Sequence, residues 1–117
     1  MRLHHSLRHA FSGIIHTFAH HSNIRIHFIA GLIALTIGYI LHLTHIELII
    51  ILFTITLVIT AEMVNTAVES MVDLITNSYH LEAKIAKDVA AGMVLVTAIL
   101  SVIVGLVIFW PHLTSIL

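Results

Sequence analysis

Glu62, Asn65, Glu69 and Asp73 follow one another at steps of three, four and four residues in "AEMVNTAVESMVD". At about 100° per residue, they fall on one face of a helix. The residues just before, Leu48 to Thr60, carry no charge. Ionisable groups at membrane depth are costly, so they face a bundle interior or water. If the apolar run begins after Glu47, Glu62 lies about 22 Å along the helix and Glu69 about 33 Å. A hydrocarbon core is about 30 Å thick, so Glu62 falls in the inner leaflet, Glu69 near its surface and Asp73 just beyond. A stripe graded from lipid to water suits phosphoryl transfer from a nucleotide to a lipid alcohol. A base must reach the hydroxyl inside the bilayer. A magnesium ion takes one or two carboxylates and completes its shell with phosphate oxygens. A lysine neutralises phosphate charge, and Lys87, next to Asp88, stands at the right level for it. Blander readings exist for some of these residues: Asn65 alone reads as interhelical glue, Asp73 as a solvated charge, and Lys84 and Lys87 as topology signals. No G-x-x-x-x-G-K-[ST] loop occurs, so a nucleotide site here is not of P-loop type.

Such a stripe needs membrane-spanning elements to carry it, and the composition supplies them. Of 117 residues, 59% are hydrophobic and 9% charged, against about 25% charged in ordinary soluble domains. The length fits one domain, residues 1–117. Net charge is −1, which gives no case for nucleic acid, and the absence of cysteine excludes disulfides and thiolate metal sites. Leu3, Leu7, Phe11, Ile14, Ile15 and Phe18 recur at helical spacing opposite Arg8, His9, Ser12, His16 and His20. They predict an amphipathic helix over about 3–20, lying on the bilayer or packed on the protein. Three spans follow, over about 26–43, 48–74 and 89–110. The last carries Trp110 as an interfacial anchor and is stopped by Pro111. The first long apolar run begins only near Ile26, after His- and Arg-rich sequence, unlike a secretory signal.

With three spans, Arg2, Arg8, Arg25, Lys84 and Lys87 all fall on one side. The positive-inside rule makes that side cytoplasmic, together with the N-terminal helix and the 76–87 loop. Three spans also give one chain little interior in which to hide four polar groups. Association is expected, with Ala83, Ala86, Ala90 and Gly92 allowing close helix approach.

The run "AEMVNTAVESMVDLITNSYHLEAKIAKDVAAGMVLV" resembles the signature of the prokaryotic integral-membrane diacylglycerol and undecaprenol kinases. The shared pattern is Glu-x-x-Asn-[Ser/Thr]-Ala-[Ile/Val]-Glu-x-x-x-Asp, then Tyr-His, then Ala-Lys-Asp. The likeness covers nearly the whole chain, including "RIH" before the first span. It implies an all-α homotrimer in the bacterial cytoplasmic membrane, with a surface helix and three spans per chain and active sites shared between subunits. It implies ATP as co-substrate and Mg2+ as the metal. Glu62 matches the family's base, Asn65 a polar residue essential to the site, and Glu69 a metal ligand. Tyr79, His80, Lys87 and Asp88 match nucleotide contacts. Arg2 and His9 lie in the N-terminal helix, where nucleotide contacts also occur, while Asp73 and Arg25 are supporting positions of the motif. The chain departs from the pattern at one place: four residues before Arg25 the family usually has a metal-binding glutamate, and here stands His21. Imidazole suits zinc-, iron- or manganese-like ions better than magnesium. The expectation is weaker magnesium-ATP binding, use of another divalent ion, or lost activity. "NIRIH", "HIEL" and "GLVIFWP" look more like the branch that phosphorylates undecaprenol, with diacylglycerol the alternative. A reading of another class, an ion- or proton-coupled transport subunit, accounts for Glu62 alone.

Overall fold

A computed structural model describes residues 2–117 as four helices: α1 (Arg2–His20), α2 (Ser22–Ile40), α3 (His45–Ile75) and α4 (Leu81–Ile116). The last three are long and apolar enough to cross a membrane. Helix α3 packs against both α4 and α2, while α1 touches the bundle chiefly through buried Thr17 and through Phe18, whose ring meets Phe28 edge-on at 5.2 Å. Leu43, Ile51 and Ile108 form the buried cluster at the end of the bundle remote from the carboxylate stripe. Elsewhere apolar side chains such as Ile33, Phe53, Leu57 and Ile103 point outward. Lipid solvates such faces as well as protein does, so bundle packing rests on close fit.

The helix ends depart from the sequence-based bounds for local reasons. Helix α2 stops at Ile40, not at residue 43, because the chain turns there into a Schellman motif. His42 N–H donates to Tyr39 O and Leu43 N–H to Gly38 O, at 3.2 and 3.0 Å. His42 adopts φ 60°, a left-handed conformation that disfavours a Cβ. His42→Gly is therefore expected to raise stability by about 1 kcal/mol, read as a higher midpoint in detergent or denaturant titration; an unchanged or lower midpoint contradicts this account of the turn.

Helix α3 opens at His45 on a capping box. Thr44 Oγ1 accepts from Glu47 N–H, and Thr44 N–H donates to Glu47 Oε1, both at 3.2 Å. Pro111 does not stop the last helix, which continues to Ile116. Proline removes one backbone donor and leaves the Val107 carbonyl without its helical partner. Beyond it, Thr114 Oγ1 donates to Trp110 O and Pro111 O, and His112 Nε2 lies 2.9 Å from Glu47 Oε2 on α3, which ties this end of α4 to the bundle. The loop between α3 and α4 is correspondingly short. Lys84 and Lys87 stand on the first turns of α4, and the Thr76 hydroxyl closes the Thr-Asn-Ser turn by accepting from Ser78 N–H at 3.2 Å.

Candidate active site

Helix α3 owes its polar face to spacing alone, but its neighbours decide what each residue meets. Glu62 is 4% exposed. Its backbone carbonyl accepts from the Thr66 hydroxyl at 3.0 Å, and its carboxylate lies 3.4 Å from His27 Nε2 on α2. One turn on, Asn65 Nδ2 donates to Glu69 Oε1 at 3.3 Å. Asn65 Oδ1 is buried and has no hydrogen-bond partner. Such an orphaned acceptor is uncommon and calls for a missing donor or cation.

These three residues line a cavity of about 210 Å³ whose opposite wall is His20, His21, Ser22 and Asn23, the α1–α2 junction. His21 is the N-cap of α2, with φ −125° and ψ 112°, but its ring caps no backbone N–H. The uncapped amide end of α2 therefore borders the cavity and favours negative charge there. His20 keeps its Nδ1 on His16 O at 2.9 Å, with the two rings stacked at 4.3 Å.

A second cavity, of about 640 Å³, lies between the end of α3 and the start of α4. It gathers Asp73, Tyr79, His80, Lys84, Lys87 and Asp88. Lys87 Nζ donates to Asp73 Oδ1 at 2.6 Å, Lys84 pairs with Asp88, and His80 Nε2 meets Ser78 Oγ at 3.2 Å. These pairs are exposed, add little to stability, and can part for a ligand.

The structure thus divides the stripe. Glu62, Asn65 and Glu69 share the first cavity; Asp73, on the same helical face, lines only the second, because Lys87 draws it toward α4. No residue lines both cavities. Arg2, His9 and Arg25 are exposed and line neither. His21 and Glu69 line the same cavity. Sequence reasoning missed His27 and His20. His27 sits two residues after Arg25 in "RIH", and nothing in its spacing marks a partner on another helix.

Among the described residues, no three His, Asp or Glu side chains converge as a ready-made cation site. The oxygens that are present, Glu69 carboxylate and the orphaned Asn65 Oδ1, nonetheless fit a hard cation that takes most of its shell from phosphate and water.

The family model described as prokaryotic diacylglycerol kinase matches residues 8–109. A diacylglycerol kinase of Synechocystis sp. is 45% identical over 113 residues, 96% of this chain and 65% of that protein. The undecaprenol kinase of Bacillus subtilis is 44% identical over 108 residues, 92% of this chain and 88% of that protein. The diacylglycerol kinase of Escherichia coli K12 is 32% identical over 84 residues, 72% of this chain and 69% of that protein. Both cavities and every residue that lines them fall inside the matched span.

Proposed function

The chain belongs to the prokaryotic diacylglycerol kinase family, and on that premise we propose that it transfers the γ-phosphoryl group of ATP to a membrane lipid alcohol, undecaprenol. The observation that carries the reading is Glu62, a buried carboxylate on the wall of a polar cavity within an apolar helix. Glu62 takes the proton of the lipid hydroxyl as its oxygen forms the bond to the γ-phosphorus, and the bond to ADP breaks. Asn65 and Glu69 would hold a divalent ion, with His21 lining the same cavity. When bound, magnesium supplies neutralisation of phosphate charge. Tyr79, His80, Lys87 and Asp88 hold the nucleotide, Lys87 leaving Asp73 to meet phosphate, with Arg2 and His9 of α1 as further contacts. Asp73 and Arg25 support the site.

The proposal includes the setting. One domain, residues 1–117, sits in the bacterial cytoplasmic membrane, with α1 on the bilayer surface and the α3–α4 turn in the cytoplasm. Leu3, Leu7, Phe11 and Ile15 are exposed in the single chain and suit the acyl boundary. The active unit is a homotrimer. Active sites are shared between neighbouring subunits, as the family resemblance implies. The transport reading leaves Tyr79, His80, Lys87 and Asp88 without a role.

Undecaprenol is favoured by the relative of that name, 88% of whose length is matched. Diacylglycerol is the second reading, because the Synechocystis relative of 45% identity bears that name. Purified protein in lipid vesicles with labelled ATP, offered undecaprenol or diacylglycerol under several divalent ions, decides. Label is expected in undecaprenol first. Label only in diacylglycerol selects the second reading, and no label in either lipid under any ion removes the kinase reading.

A further inference from the structure

The buried carboxylate of Glu62 has one side-chain neighbour of opposite potential, and it is neither a lysine nor an arginine. His27 Nε2, on α2, lies 3.4 Å from Glu62 Oε1, within ion-pair reach but outside hydrogen-bond geometry. The hydrogen bonds near Glu62 do not reach its carboxylate: Thr66 bonds its backbone, and Asn65 turns to Glu69. A carboxylate 4% exposed in a membrane helix needs a polar partner to orient it. The imidazole N–H at Nε2 is the group within reach.

His27 also has a second side. It lines an apolar groove among α2, α3 and α4, with Ala34, Thr54, Ile55 and Phe109. Glu62 lines the polar cavity and not this groove. The imidazole is therefore a partition, with its Nε2 toward the carboxylate and a ring face toward apolar surroundings. Low polarity on that side strengthens the contact. One turn along α2, a Cβ on Gly31 would stand 2.8 Å from Ile55 Cγ2, so the bare glycine leaves room for Ile55 where α2 and α3 meet.

We infer that His27 is a positioning residue for Glu62: its imidazole faces the Glu62 carboxylate from Nε2 and, closing to a hydrogen bond when substrate is bound, aims it at the substrate hydroxyl. The inference rests on the kinase reading, and its test separates the two. Purified wild-type, H27L and H27Q proteins are compared in vesicles with undecaprenol and magnesium-ATP. Loss of one hydrogen bond to a charged group corresponds to a fall of about 10- to 100-fold in kcat. H27L is expected to show that fall with KM for ATP unchanged, because the nucleotide-side residues are untouched. H27Q keeps an N–H donor at the reach of Nε2 and is expected to recover most of the rate. A second measurement does not depend on turnover. The infrared carboxylate band of Glu62, isolated as wild type minus E62Q, is expected to move in H27L. Normal kcat in H27L, a rise in KM for ATP as its main effect, no recovery in H27Q, or an unmoved carboxylate band each overturns the role of His27 while transfer by wild type leaves the kinase reading standing. Absence of transfer by wild type overturns both.

Discussion

In E62Q, phosphate transfer to the lipid is expected to fall by about 10²- to 10⁴-fold, the usual range for loss of a general base, while the protein stays folded and associated. The substitution keeps the shape of the side chain. Its amide oxygen takes the place of the carboxylate oxygen that lies 3.4 Å from His27 Nε2 in the native chain. It also removes a charge that is 4% exposed, and burying an ionised carboxylate is costly. Stability should therefore hold or rise slightly, which separates a chemical defect from a folding one. Rates are measured with labelled ATP at saturating lipid, alongside helical circular dichroism and elution volume. Substantial turnover in a folded E62Q protein would show that another group takes the hydroxyl proton.

The second large effect is expected at the opposite wall of the same cavity. H21E should lower the magnesium concentration for half-maximal activity by about tenfold or more, on the scale at which metal-site substitutions change affinity. Magnesium prefers oxygen ligands and keeps near-octahedral geometry. On the proposed reading Glu69 and Asn65 Oδ1 would hold the ion, and His21 lines the same cavity. His21 is also the N-cap of α2, and the amide end of a helix favours an anion. The added carboxylate is thus tolerated by the fold, and the ion benefits from it. Manganese serves as an activity-independent probe: its binding, followed by electron paramagnetic resonance, should tighten in H21E and weaken in E69Q. Unchanged magnesium and manganese dependence in H21E would put residue 21 outside the ion's shell.

The elements that carry this chemistry were legible in the sequence because lipid imposes a simple requirement. Every backbone polar group must be satisfied within its own segment, so a long uncharged run reads as a helix. The carboxylate stripe was legible for the same reason, since few structural needs put Glu62 at that depth. Ends were read less well. The second span ends at Ile40 because His42 turns left-handed, and the last helix passes Pro111 with the Glu47–His112 pair tying its end to α3. Both depend on contacts a few residues or a whole helix away, which hydropathy does not encode.

What the sequence by itself determined is the set of groups: three apolar helices, a polar face at steps of three and four, a Tyr-His turn, Lys87 beside Asp88, and His21 at a motif position usually held by glutamate. Helical periodicity and the cost of charge in lipid suffice for these. What only the tertiary structure decided is the pairing. Asp73 leaves the stripe for Lys87, Asn65 Oδ1 is left without a partner, and His27, unremarkable along the chain, meets Glu62. One helix fixes which residues share its own face. The approach of a second helix, where the bare Gly31 leaves room for Ile55, fixes which of them touch.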